Sequence, residues 1–218
     1  MLITNKKLGI GIPLSWPFCH SDFFDSFTMM ISQEDRPCEY HVIRASSGPI
    51  HEMRNRIVSR AIDLGCTHVL MLDADMIYPS DTIHKLMAHN KAIVGGLCFK
   101  RWPPFDPTLY VGEKYRMTLL EDYGKGLVKV TATGTGCLLV ETRVFLDMDE
   151  PWFEFGRTHE GKPVGEDINF CYKAGDLGYE IWVDTTLETQ HMAMVAVNEN
   201  LWKLNKKLRE LNQAEFTF

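Results

Sequence analysis

The stretch THVLMLDAD, residues 67–75, joins an almost wholly apolar strand to two carboxylates. A short apolar run bounded by polar residues is typical of a strand buried on both faces of a sheet. Asp73 and Asp75 follow the strand directly, where both side chains can point into the crevice in which open α/β sheets bind ligands. Their hard oxygens suit Mg²⁺ or Mn²⁺, which can bridge to phosphate oxygens. The alternative is that both are turn residues or cap the next helix.

The segments before this stretch alternate between strand and helix patterns. Residues 8–13 and 39–44 are predicted strands, and the helix between them has Ser21 as its expected N-cap. Each helix carries one apolar stripe. The stripes are Phe23, Phe24, Phe27, Met30 and Ile31 in the first helix, and Met53, Ile57, Val58, Ala61 and Ile62 in the second, which Gly65 ends. This βαβαβ order predicts an α/β fold with a Rossmann-like, mostly parallel sheet flanked by helices.

The second half continues without a linker. Its predicted elements are a helix at 80–89, a strand at 92–98, a Pro- and aromatic-rich ordered loop at 100–110, strands at 108–112, 127–132 and 137–140, a helix at 166–177, and a strand at 179–183. We therefore expect residues 1–191 to form a single domain. Residues 192–218 are expected to form an amphipathic helix, at about 193–212, and a tail. That helix carries Val197, Leu201, Leu204, Leu208 and Leu211 on one stripe, which predicts packing on the domain or on a partner subunit of a homo-oligomer.

Composition sets broad limits on the class of protein. The 218 residues are 45% hydrophobic and 24% charged, which is ordinary for a globular chain. The net charge of −6 argues against nucleic-acid binding over the whole surface and leaves a local basic groove open. No apolar run approaches the roughly 20 residues of a membrane span, and the N-terminus lacks a signal-peptide pattern. The six cysteines show no metal-knuckle spacing. We therefore expect a cytoplasmic protein with reduced thiols.

Three weaker signals follow the aspartate pair. Gly134-Thr135-Gly136 lies between two apolar runs, where glycines allow close backbone approach to a ligand or form a simple bulge. Glu166 and Asp167 open a helix, so they are either stabilising first-turn acids or include a general base. His191 follows a strand in the stretch LETQH, and a lone histidine is more often a packed or surface residue than a ligand.

The order of these signals resembles the core of GT-A glycosyltransferases, most closely the family-two-like members of small phage or bacterial type. HVLMLDADMIYPSDTIHKLM looks like the DxD strand and following helix of that family. GTGCLLVETRVF looks like its glycine-rich loop, and GEDINFCYKAGDLGYEIWVD looks like its acidic motif, helix and next strand. The resemblance spans residues 8–191.

The resemblance implies a metal-dependent transfer of a sugar from a nucleotide-sugar donor, UDP- or GDP-linked, to an acceptor hydroxyl, with inversion. It implies Mn²⁺ or Mg²⁺ as cofactor. The acceptor classes are a glycan, a small molecule or a modified DNA base, in the host cytoplasm if the chain is phage-encoded. The implied metal residues are Asp73, which lies near the metal or the ribose, together with Asp75 and His191. Asp167 would be the catalytic base, with Glu166 assisting it. The donor sugar would be lined by Gly134, Thr135 and Gly136. The nucleotide base would lie next to Ile12 and Pro13.

Further polar and aromatic residues have two open interpretations each. Arg54 and Asn55 either contact the donor diphosphate or lie on a solvated helix face. Lys100 and Arg101 either contact phosphate or acceptor or form a plain surface pair. Trp102, like Phe105 and Tyr110, either stacks on a sugar or base or packs within its loop.

Two other functions remain open. A nucleotidyltransferase of related fold would be expected to carry a glycine- and lysine-rich phosphate loop after the first strand. Here that segment reads IPLSWPFCHSD, without Lys or Arg. A non-catalytic module that binds sugar nucleotides or nucleic acid would tolerate loss of the acidic pair, yet Glu166 and Asp167 are both present.

Overall fold

The computed structural model describes residues 6–158, 160–194 and 198–212, with side chains described as far as residue 207. Its first half contains β1 (Lys7–Pro13), α1 (Ser21–Ile31), β2 (Glu39–Ala45), α2 (Ile50–Asp63), β3 (His68–Leu72), β4 (Met76–Ile77), α3 (Thr82–Ala88) and β5 (Ile93–Leu97). Its second half contains β6 (Leu109–Val111), β7 (Thr118–Leu119), β8 (Leu127–Val130), β9 (Ala132–Thr133), β10 (Cys137–Glu141), α4 (Thr142–Leu146), β11 (Gly156–Arg157), β12 (Pro163–Val164), α5 (Glu166–Asp176), β13 (Ile181–Glu188), β14 (Gln190–His191) and α6 (Glu199–Asn212).

Within the described ranges, seven strands form the central sheet in the order β2-β1-β3-β10-β5-β13-β8. β1 pairs in parallel with β2 and β3, and β5 pairs in parallel with β13. β10 runs antiparallel between β3 and β5, and β8 is an antiparallel edge strand. The strands at the centre of this mixed sheet are therefore mostly parallel, and the predicted α/β class is confirmed. The reversed β10 was not foreseen, because an apolar run carries no sign of its direction.

Each face of the sheet supports one half of the core. Successive side chains of a strand point to opposite faces, so Val69 and Met71 of β3 pack with α2 and α5, whereas Leu70 and Leu72 pack with α1 and α3. β1 lies close under α2 because it has glycine at the contact: a Cβ on Gly11 would come 2.3 Å from Ile57 Cγ2. This tight packing fixes α2, and the polar residues on it, against the end of β3.

Three local predictions are wrong. Ser21 is not the N-cap of α1, because His20 takes that position in extended backbone and its Nδ1 accepts from the Asp22 amide at 3.3 Å. Phe24 is not buried on the apolar stripe of α1, since it is 58% exposed. The strand predicted at 179–183 begins later and runs on to Glu188, so the stretch before His191 is part of β13.

The C-terminal helix α6 extends to Asn212, as predicted, but begins at Glu199 rather than near residue 193. Leu204 and Trp202 are each more than half exposed, and Leu201 is partly buried. Of the other predicted stripe residues, Val197 and the side chains of Leu208 and Leu211 lie outside the described part. Packing on the domain or on a partner subunit stays a prediction. No described helix is long and apolar enough to cross a membrane.

Candidate functional site

A cleft of about 290 Å³ opens at the carboxyl ends of β3 and β5. Its walls bring together residues from all four sequence signals. The lining consists of Arg54, Asp73, Met76, Cys98, Phe99, Lys100, Arg101, Trp102, Thr108, Gly134, Thr135, Gly136, Glu166, Asp167 and His191. Segments that are more than 100 residues apart in the chain therefore meet at the edge predicted for ligand binding.

Arg54 forms the floor of this cleft and bridges two of its motifs. Its guanidinium donates through Nη2 to Asp73 Oδ1, at 3.0 Å, and through Nη1 to Glu166 Oε1. Only 5% of the Arg54 side chain is exposed. Although burial lowers the pKa of Arg54, the charges of Asp73 and Glu166 raise it overall, so it stays a cation. The hydrogen-bonding groups of Arg54 that reach the cleft therefore bind carboxylates in this structure, and not the diphosphate predicted as its partner.

Asp75 and His191 form a second polar pair, which β4 and β14 hold together by pairing Met76 with His191. His191 Nε2 lies 3.3 Å from Asp75 Oδ2, and its Nδ1 lies 2.7 Å from the Phe99 carbonyl. The contact of Nδ1 with that carbonyl fixes the ring so that Nε2 lies beside the Asp75 carboxylate, which is how backbone carbonyls orient metal-ligating histidines. Burial lowers the pKa of His191, but the hydrogen bond to Asp75 raises it overall.

The donor set suits a divalent cation only in part. Among the described residues, no group of three His, Cys, Asp or Glu side chains is arranged to hold a metal ion. Asp73 is paired with Arg54, so Asp75 and His191 are the two of the three predicted ligands that lie together. Two protein ligands fit a cation that completes its shell with phosphate oxygens and water, as Mg²⁺ commonly does.

Asp167 faces the same cleft from the first turn of α5. Its Oδ1 accepts from the Ile168 amide at 2.7 Å. Burial and the neighbouring Glu166 charge raise its pKa, while Arg54 opposes them and lowers it; the net shift is upward. A partly desolvated carboxylate at a cleft wall has the properties of a general base.

The glycine loop is held against the aspartate strand by Tyr78, which sequence reasoning missed. The buried Tyr78 hydroxyl lies 2.8 Å from the Asp73 carbonyl and 2.6 Å from the Gly136 carbonyl. The Asp73 amide also donates to Gly136 O at 3.1 Å. The side-chain oxygen of Thr135 is buried without a partner. The loop thus presents backbone at the cleft at a fixed distance from Asp73.

Three predicted nucleotide residues lie elsewhere. The side chain of Asn55 bridges the backbone of Phe153, with its amide donating at 2.8 Å and accepting at 2.9 Å. Asn55 therefore holds the backbone at Phe153 in place and does not line the cleft. Ile12 and Pro13 are buried at the end of β1 and are likewise absent from the lining.

Solved structures share this architecture. A197 from STIV matches 86% of the chain and 85% of its own length, with a TM-score of 0.59 and 13% identity. TarS 1–349 of S. aureus, solved in complex with UDP-GlcNAc, matches with a TM-score of 0.51 and 14% identity over 88% of this chain and 60% of its own. A Drosophila β1,4-galactosyltransferase 7 complex with manganese, UDP-Gal and xylobiose matches with a TM-score of 0.52 and 13% identity over 90% of this chain and 79% of its own. The fold is GT-A. No protein-family model and no curated protein sequence matches the chain.

Proposed function

We propose that the chain is a metal-dependent, inverting glycosyltransferase that uses a nucleotide-sugar donor. The observation that carries the proposal is that His191, which pairs with Asp75, and the Asp167 carboxylate line one cleft of a GT-A sheet. Two glycosyltransferases of that fold were solved with UDP-sugars, which supports a UDP-linked donor here, with GDP as the second option.

Each polar group has a defined task in such a transfer. Asp75 and His191 would hold Mn²⁺ or Mg²⁺, which stabilises the negative charge of a departing diphosphate. Asp167 would accept the proton of the acceptor hydroxyl as that oxygen bonds to the anomeric carbon, while the electron pair of the broken bond leaves with the diphosphate. Glu166 is held by Arg54 and would fix the helix that carries Asp167. Gly134, Thr135 and Gly136 would line the donor sugar.

The acceptor is proposed to be a neutral hydroxyl compound, a glycan or a small molecule. The net charge of −6 disfavours a polyanionic acceptor, which places a modified DNA base last. The cytoplasmic setting expected from the sequence stays a prediction.

Thermal unfolding in the presence of nucleotides tests the proposal directly. UDP-, GDP- and other nucleotide sugars, and CTP as a probe of nucleotidyltransfer, are each added with Mn²⁺ or with chelator. A ligand at 100 times its Kd stabilises by about 2.7 kcal/mol, so a donor should raise the Tm only when the metal is present. Asp75→Asn should abolish that rise. The matched control is Asp81→Asn, which changes an exposed aspartate paired with Lys85. A nucleotide-sugar response unchanged by chelator would refute the metal assignment.

A further inference from the structure

Arg101 occupies the position that a divalent cation would need. Its Nη1 lies 2.8 Å from Asp75 Oδ2, and His191 Nε2 lies 3.3 Å from that same oxygen. The guanidinium therefore neutralises the carboxylate oxygen that the proposed metal would bind. A cation can bind Asp75 through this oxygen only after Arg101 has moved.

Arg101 lies at the exposed tip of a segment that is closed on itself. The segment 99–107 is closed at its base by the Phe99–Pro107 bridge and by Lys100, whose Nζ lies 3.0 Å from Asp106 Oδ2. Its tip, residues 101–105, is exposed throughout. Among the described residues, the Arg101–Asp75 ion pair is the tip's one hydrogen bond or salt bridge to the remainder of the domain.

The same ion pair separates two cavities. The cleft of about 290 Å³ lies on one side of Arg101 and Trp102. A second cavity of about 270 Å³, lined by His20, Asp75 and Met192, lies on the other. Each alone lies at the lower end of the roughly 300–1,000 Å³ of ligand pockets, whereas the two joined would lie well inside that range. Movement of Arg101 away from Asp75 would open one continuous site.

The chemistry of the displaced side chain points to its second partner. A guanidinium binds phosphate oxygens through two parallel hydrogen bonds. Lys100, the other cation of this segment, is held by Asp106 and lies over the Tyr110 ring. The 66% exposed Trp102 next to Arg101 would move with it.

The geometry points to Arg101 as a residue with two positions. In the free chain it neutralises Asp75 in place of a divalent cation. When cation and nucleoside diphosphate bind, it leaves Asp75 and transfers to the diphosphate. The inference rests on the proposed function, and it makes Arg101 a determinant of diphosphate binding that opposes the binding of metal alone.

Two affinities that should change in opposite directions test this inference. Mn²⁺ alone is titrated by electron paramagnetic resonance, and UDP and GDP are titrated calorimetrically with saturating Mn²⁺. Exposed ion pairs contribute up to ~1 kcal/mol, so Arg101→Ala should bind Mn²⁺ alone up to about fivefold more tightly. It should bind the diphosphate about tenfold more weakly, because charge-assisted phosphate contacts are lost. Arg101→Lys should keep the wild-type Mn²⁺ affinity and lose part of the diphosphate affinity.

The control is Arg143→Ala, which removes an exposed arginine paired with Glu141 away from the cleft and should change neither affinity. Unchanged Mn²⁺ affinity in Arg101→Ala, or undiminished diphosphate affinity, would overturn the inference. If the wild-type chain binds neither diphosphate, the proposed function and the second position of Arg101 both fail. The Mn²⁺ titration still decides whether Arg101 competes with metal.

Discussion

Arg54 is a buried cation that neutralises the carboxylates of two separate motifs. Its guanidinium pairs with Asp73 and Glu166, and its charge also acts on Asp167. Removing one member of a buried ion network strands the remaining charges and typically costs ~3–5 kcal/mol. Arg54→Met should therefore lower the free energy of unfolding by about 3 kcal/mol or more, measured by urea denaturation.

Arg56→Met is the matched control for that variant. Arg56 lies on the same helix, is about half exposed and pairs with Glu52. Its replacement should therefore change the free energy of unfolding by no more than about 0.5 kcal/mol. The double variant Arg54→Met/Glu166→Gln should recover part of the loss, because one stranded charge is removed with its partner. If the losses of unfolding free energy in the two single variants simply added in the double variant, Arg54 and Glu166 would not act as one ion network.

The ionisation of Asp167 predicts the acid limb of the pH profile. Burial and the Glu166 charge raise its pKa above the ordinary value of 3.8, with Arg54 opposing them. A general base must be ionised, so activity should be present above this raised pKa and be lost as the pH falls through it. The acid limb of kcat/KM should lie at a higher pH than the ordinary pKa of an aspartate would give in the wild-type chain and disappear in Asp167→Asn. An unchanged limb in that variant would assign it to another group.

The residue types at the site were readable from sequence, whereas their partners were not. The acidic pair and His191 stand out because they follow predicted strands or open a helix. The pairing of Arg54 with Glu166 joins residues 112 positions apart, so no local pattern reports it. Arg54 was therefore predicted as a diphosphate contact. The hydrogen bonds of the Tyr78 hydroxyl to the Asp73 and Gly136 carbonyls were not predicted at all.

At the scale of elements, the glycine loop offers two positions with different space around them. A Cβ on Gly136 would come 2.5 Å from Met76 Sδ and 3.3 Å from Asp73 Oδ2, whereas one on Gly134 would come no closer than 3.4 Å to Thr108 Oγ1. Met76 is itself buried. Overpacking of this kind typically costs 1–3 kcal/mol. Gly136→Ala should lose about that much stability, because β10 and the aspartate strand must separate.

Gly134→Ala is the control, and its free energy of unfolding should lie within about 0.5 kcal/mol of that of the wild type. Urea denaturation measures both variants, and only Gly136→Ala should lose stability. Equal effects at the two glycines would show that contact with Met76 and Asp73 is not what the loop requires.

Periodicity identified most elements of the sheet, but it did not reveal how the strands pair. The β1–α1–β2–α2–β3 succession follows from alternating apolar patterns, and its parallel pairing follows from the crossover helices. The antiparallel insertion of β10 between β3 and β5 depends on tertiary packing that an apolar run does not encode. For the same reason β14 was unpredicted: its two residues are a strand only because β4 pairs with them.

At the scale of the whole molecule, the fold limits how many carboxylates remain available for chemistry. Of the described carboxylates in the cleft, Asp73 and Glu166 are paired with Arg54, and beside the cleft Asp75 is paired with Arg101 and His191. Asp167 lies in the same cleft without a described salt bridge. A retaining double displacement needs one group as nucleophile and a second for proton transfer. One uncommitted carboxylate matches an inverting displacement, in which a single base activates the acceptor.

The product should therefore have the anomeric configuration opposite to that of the donor, as read by NMR of the transfer product. General-base catalysis contributes ~10²–10⁴-fold, so Asp167→Asn should lower kcat by about that factor. It should leave the donor Kd within about twofold, since Asp75 and His191, not Asp167, would hold the metal. The control is Asp176→Asn at the far end of the same helix, where the aspartate is exposed and pairs with Lys114; turnover should be unchanged. A product with the same anomeric configuration as the donor would require a second carboxylate to leave its cation partner. Near-normal turnover in Asp167→Asn would show that Asp167 is not the base.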